Sequence, residues 1–200
     1  MKVTLEKIFP MPASANTAWT LLQDIEGVAN CMPGAKITER IDAEHYKGTV
    51  AVKFGPASMA FRGEVEVRGI DAAAQTLRLF AKGTDTTGSS AASMDLTARV
   101  EALDAASCNL LGTSEVSMSG KAATFGGRMM GSVADQVLKQ FAANFATQVQ
   151  ALQAQQMVDA PADAPAATAA PPEPAQLNGL ALVWAVLKDW LRSLFAAKKA

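Results

Sequence analysis

The chain opens on an alternation, with Val3 and Leu5 set between Lys2, Thr4 and Glu6, that reads as a half-buried strand. A short helical stretch follows. Ser14 is placed to cap it, Trp19, Leu21 and Leu22 give it an apolar face, and the Gly27 region ends it. Pro33-Gly34 marks a turn. Period two then returns in successive runs: Tyr46, Gly48, Val50, Val52, Phe54; Met59, Phe61, Gly63, Val65, Val67; and Leu77, Leu79, Ala81. It continues with Met94, Leu96, Ala98, Val100 and with Cys108, Leu110, Gly112, Ser114, Val116, Met118. Each run has one apolar and one polar face, the pattern of a meandering antiparallel sheet covered on one side.

After Gly120 the period becomes helical. Phe125, Met129, Val133, Val137, Phe141, Phe145 and Val149 recur at four-residue steps, and Met130, Leu138 and Leu152 widen the stripe. Gly126, Gly127 and Gly131 lie at its start, where each glycine disfavours helix by about 1 kcal/mol relative to alanine. Either small residues there admit a close neighbour, or the loop runs on and the helix begins after Gly131. The only cover for such a helix is the sheet. The expected fold class is therefore α+β: a curved antiparallel sheet around a long C-terminal helix, the helix-grip arrangement, with a cavity between them.

The pattern ends near residue 157, and three parts follow from it: a domain at 1–157, a linker at 158–176 and a helix at 177–200. Within the linker, Asp159 to Gln176 holds Pro161, Pro165, Pro171, Pro172 and Pro174, with alanine filling most of the rest and no bulky apolar residue. Such a segment cannot bury enough surface to offset its ordering entropy, so it reads as a solvated tether. On a helical wheel the tail gathers Leu180, Val183, Trp184, Leu187, Trp190, Leu191, Leu194 and Phe195 on one side, with Lys188, Asp189 and Arg192 opposite. Its apolar run is shorter than the roughly twenty residues that span a bilayer, and extending it would put Lys188, Asp189 and Arg192 in hydrocarbon. The tail thus reads as an interfacial anchor: the tryptophans sit at the head-group level, and Lys188, Arg192, Lys198 and Lys199 face anionic lipid. The alternative is a helix that docks in a partner protein's groove or back on its own domain.

Charge and composition narrow the partners. A formal net charge of −1 argues against nucleic acid. Cys31 and Cys108 are the only cysteines and are far apart, which suits a reducing compartment; with no signal-peptide core at the start, the expectation is a cytoplasmic protein, peripheral on the inner face of the cell membrane. Candidate chemistry is sparse. His45 is the single histidine, so neither a multi-histidine metal site nor a Ser-His-Asp triad can be assembled, and Tyr46 is the single tyrosine. No catalytic or metal-binding residue is assigned and no covalently bound cofactor is expected. Met59, Met94, Met118, Met129 and Met130 fall on inward faces; methionine suits a pocket for a soft apolar guest, and equally suits plain core filling.

Two stretches carry a resemblance. Asp24-Ile25-Glu26 followed by Asn30-Cys31-Met32-Pro33-Gly34-Ala35, and Gly112-Thr113-Ser114-Glu115-Val116 followed by Gly120, Lys121 and Phe125-Gly126-Gly127-Arg128-Met129-Met130, resemble the CoxG family of carbon monoxide dehydrogenase. That family is START/Bet v1-like. The resemblance spans about residues 1–150. It implies a helix-grip domain that accompanies a molybdenum hydroxylase complex of carbon monoxide dehydrogenase type and recruits it to the membrane. It also implies that the cavity holds an apolar small molecule, a respiratory quinone (menaquinone or ubiquinone) being the natural candidate. The residues expected to line the cavity are Trp19, Met59, Phe61, Met94, Met118, Phe125, Met129, Met130, Val133, Val137 and Phe141. Alternatives are a lipid or hydrophobic small-molecule carrier with no hydroxylase partner, or a START-like cyclase or isomerase.

Overall fold

The computed structural model describes residues 1–54 and 57–159. The tail positions named above, Leu180 to Lys199, lie outside the described residues, as does the linker beyond Asp159. Residues 1–160 form one compact unit. Its elements are β1 (Lys2–Met11), α1 (Ala15–Gln23), α2 (Ile25–Cys31), β2 (Ala35–Arg40), β3 (His45–Phe54), β4 (Ala57–Asp71), β5 (Thr76–Asp85), β6 (Ser90–Ala102), β7 (Cys108–Gly120), a 3-10 turn (Lys121–Phe125) and α3 (Gly126–Asp159).

The seven strands form one sheet in the order β1-β7-β6-β5-β4-β3-β2, with every neighbouring pair antiparallel. The inward face carries the apolar alternation. Leu77, Ala98, Val100 and Leu110 are buried there, against Trp19, Leu21, Leu22 and Ile25 of the two short helices and Phe141, Phe145 and Val149 of α3. This is the helix-grip architecture, with the helix about 50 Å long at 1.5 Å per residue. Among the described residues no helix is long and apolar enough to cross a membrane.

Local departures from the sequence pattern have physical causes. The break between the first two helices falls at Asp24, whose ψ of 93° is non-helical, and Gly27 sits inside α2 rather than ending a helix. A Cβ at Gly27 would meet Asp24 Oδ2 at 2.5 Å, so the carboxylate folds over that position and would have to swing aside for a larger residue. The edge strand β2 carries one large apolar residue, Ile37, and is mostly exposed, so it leaves no alternating signature. Gly127 and Gly131 lie within α3, which starts at Gly126. Of the two readings of those glycines, the helix therefore begins before Gly131.

The C-terminal half of α3 is fixed to the short helices by polar contacts. The Ser14 amide donates to Gln153 Oε1 at 2.8 Å, Thr17 Oγ1 donates to Gln156 Oε1 at 3.0 Å, and Asn144 Nδ2 donates to the Cys31 carbonyl at 2.9 Å. At the other end, the Ala122 amide donates to Ser90 Oγ at 3.0 Å, which ties the 3-10 turn to the β5–β6 hairpin. That hairpin is held by Asp85, which accepts from Thr87 Oγ1 at 2.7 Å, Ser89 Oγ at 3.0 Å and the Ser90 amide at 2.9 Å. These bonds hold its carboxyl below the ordinary carboxylate range, the Thr87 hydroxyl most of all.

Candidate ligand cavity

Between the inward face and the N-terminal half of α3 lies a cavity of about 490 Å³, within the range of small-molecule sites. It is closed at one end by Leu22, Ile25, Leu77, Leu79, Ala98, Leu110 and Phe141, all buried. At the other end its walls are half-buried: Val3, Val50, Val52, Met94, Val116, Met118, Val133 and Val137. The cavity is thus sealed toward the core and accessible beneath the start of α3.

Strand register explains why space is left there. At the accessible end one line of inward positions crosses the sheet as Met118, Ala92, Gly83, Gly63, Gly48 and Ile37. Three adjacent glycines leave no side chains on the wall, and at Gly63 and Gly48 the backbone of the next strand comes too close to admit one. A Cβ at Gly63 would collide with the Lys82 carbonyl oxygen, and one at Gly48 would sit 2.8 Å from the Lys36 carbonyl oxygen. Gly112 is different: it lines the cavity, and a Cβ there would meet nothing within 4 Å among the described residues.

The next line toward the core is Val3, Val116, Met94, Ala81, Val65, Tyr46, and behind it comes Leu5, Ser114, Leu96, Leu79, Val67. Ser114 is the one hydroxyl in the latter and is 8% exposed. The line beyond carries Lys7 beside Gly112, Ala98 and Leu77. Lys7 points inward but its ammonium reaches the rim, where Nζ meets Asp135 Oδ1 of α3 at 2.8 Å. The wall is otherwise aliphatic and aromatic on its inward positions. A shallower depression of about 710 Å³ lies on the outward face behind the same glycines, lined by Lys47, Arg62, Glu64 and Lys82 among others. Lys47 and Lys82 there are paired with Glu39 and Glu64.

The groups with catalytic potential lie elsewhere. His45 sits at a surface turn, with Nδ1 2.9 Å from Asp42 Oδ1; that hydrogen bond and the carboxylate charge raise its pKa. The Tyr46 hydroxyl donates to the Ala43 carbonyl at 3.3 Å, and Asp95 pairs on the outer face with Arg68 at 3.1 Å. Cys31 is fully buried at the end of α2. Burial, aided by the charge of Asp24, pushes its thiol up to about 11, so it is not a poised nucleophile. Among the described residues no group of acidic, histidine or cysteine side chains could hold a metal ion.

Residues 9–150 match the family model for CoxG of carbon monoxide dehydrogenase. The chain belongs to the CoxG family. Solved structures place the fold of this CoxG domain among START/Bet v1-like proteins. A conserved protein from Geobacillus kaustophilus superposes with a TM-score of 0.67 at 19% identity, over 74% of this chain and 96% of that one. The Zhui aromatase/cyclase from Streptomyces sp. R1128 gives 0.56 at 15%, over 75% and 94%. A START superfamily protein from Mycobacterium smegmatis gives 0.51 at 17%, over 74% and 98%. At these identities the likeness is one of fold. No curated protein matches the CoxG chain by sequence.

Of the side chains expected around the cavity, Phe61, Met94, Met118, Met130, Val133, Val137 and Phe141 line it. Four others stand apart. Trp19 is buried, but in the core where α1 packs on β6, β7 and α3. Met59 has the inward parity of Phe61 yet lies one inward position nearer the β3–β4 turn, paired with Val52 and outside the lining. Phe125 belongs to the 3-10 turn, before the helix begins. Met129 is 38% exposed. At 100° per residue, Met130 is about 20° from Phe141 around the helix and Met129 about 120°, so a strict four-residue step drifts off the buried face. Sequence reasoning missed Ser114, Lys7 and the line of glycines as cavity features. Their parity was visible; the cross-strand register that aligns them was not.

Proposed function

We propose that this CoxG-family domain is a non-catalytic carrier that takes an apolar small molecule into the space between sheet and α3, and that a respiratory quinone, menaquinone or ubiquinone, is its ligand. In the same proposal it is an adaptor: it docks a molybdenum hydroxylase complex of carbon monoxide dehydrogenase type and brings it to the inner face of the cell membrane through the amphipathic segment at 177–200. The observation that carries the reading is the apolar cavity of about 490 Å³, closed toward the core and accessible beneath the helix. At ~30 Å³ per heavy atom it takes on the order of sixteen atoms, enough for a bicyclic quinone head and the start of its tail. A longer isoprenoid chain would leave by the accessible end. The family name supplies the partner enzyme, and the tail's apolar face with its cationic flank supplies membrane lipids.

The test is uptake. Full-length protein is incubated with vesicles carrying menaquinone, separated from them, and assayed for quinone. Stoichiometric quinone in the soluble protein supports the carrier role, and none opposes it. For the adaptor role, deletion of 177–200 in cells that also make the hydroxylase should move both proteins from the membrane to the soluble fraction while they still co-purify. Continued pelleting of the shortened chain would remove the tail as anchor.

A further inference from the structure

Ser114 is more than nine-tenths buried and lines the cavity, and its hydroxyl has no hydrogen-bond partner among the described residues. Its cross-strand neighbours on the inward face are Leu5 and Leu96, neither of which offers a polar side chain. No buried side-chain oxygen or nitrogen among the described residues is both sealed off and unsatisfied, so what access the Ser114 oxygen keeps is to the cavity. Buried hydroxyls are nearly always paired, because an unpaired one in an apolar wall opposes folding. Alanine would fit this position without that penalty. We propose that Ser114 is the polar anchor of the cavity, forming one hydrogen bond to a carbonyl or hydroxyl oxygen on an otherwise apolar guest. The inference rests on the carrier reading and deepens it: it selects ligands with an oxygen set in an apolar frame over pure hydrocarbons.

Lys7 is the other inward polar residue nearby, and its ammonium is engaged by Asp135 at the rim. Ser114 is therefore the group left to recognise a guest within the closed part of the cavity. A serine hydroxyl both donates and accepts, so it serves a quinone carbonyl and the hydroxyl of the reduced form alike.

The experiment compares two probes of the same shape, 1,4-naphthoquinone and naphthalene, on full-length wild type and Ser114→Ala. The wild type should prefer the quinone. The variant should bind the quinone roughly three- to tenfold more weakly, one neutral hydrogen bond, and bind naphthalene as well as before or better. The empty variant should also melt higher than wild type, since an unpaired hydroxyl has been removed. A structural role for Ser114 would lower the melting temperature instead and overturn the proposal, as would unchanged quinone affinity in a variant that still takes both probes. If wild type takes neither probe, the carrier reading fails and the anchor with it.

Discussion

Replacing Gly112 by leucine should fill part of the cavity while leaving the sheet intact. The position lies on β7 between Lys7 and Ala98, its φ is outside the left-handed region, and a Cβ there meets no atom within 4 Å. Four added carbons at ~30 Å³ each would take on the order of 100 Å³ from the cavity. The new side chain would lie largely buried, worth about 1.5–3 kcal/mol, and loss of a glycine from a strand interior adds about 0.5–1 kcal/mol. For a domain of this size about 2–4 kcal/mol raises the melting temperature by roughly 4–16 °C. Thermal unfolding followed by circular dichroism reads the stability, and a titration with a short-tailed quinone reads the capacity. The expected result is a higher Tm with uptake reduced at least several-fold. A lower Tm would mean that the space at Gly112 is already filled in the folded protein. A raised Tm with undiminished uptake would mean that the ligand binds elsewhere.

Gly127→Ala and Gly131→Ala should each stabilise α3 by about 1 kcal/mol, because neither Cβ would meet any atom within 4 Å; urea midpoints that fall instead would place an unseen neighbour against that helix face. Cys31 should resist alkylation at pH 8 until the protein unfolds, since burial holds the thiol near 11 and leaves about one thiolate in a thousand; rapid labelling of native protein contradicts this. Asp85→Asn should destabilise the β5–β6 hairpin at neutral pH. Because the folded carboxyl is held below its ordinary value, its contribution is present above the unfolded pKa of about 3.9 and is lost as pH falls through the lower folded value. Melting curves of wild type and variant should accordingly converge in acid, and a gap that widens there is the opposite sign. Replacing Trp184 and Trp190 by alanine should weaken binding to anionic vesicles more than replacing Lys198 and Lys199, and equal losses would indicate charge rather than insertion.

Much of this architecture is legible in the sequence because the sheet has one covered face. Wherever a strand packs on the core, its alternation is written out, as in Leu77-Leu79-Ala81 and Ala98-Val100. Where burial stops, so does the signal: β2 leaves none because only Ile37 faces inward with any bulk. The cavity itself is harder to read. Composition shows which side chains are apolar and parity shows which face they take, but a void arises from what is missing across several strands at once. Gly48, Gly63 and Gly83 are scattered in the chain and meet only through register. Ser114 belongs to a strand whose inward parity is plain, yet that its hydroxyl has no partner among the described residues shows only in three dimensions. Met129 and Met130 show the reverse case, where a periodic stripe named both and helix geometry keeps one.

An apolar guest held in the cavity should travel with the purified protein. Native mass spectrometry of the full-length protein, purified from a quinone-containing bacterium and followed by organic extraction of the same sample, tests this most directly. The expected result is a mass increment on the folded protein that extracts as a quinone, diminished in Gly112→Leu. An unliganded mass in every preparation, together with no uptake of added quinone, would contradict it.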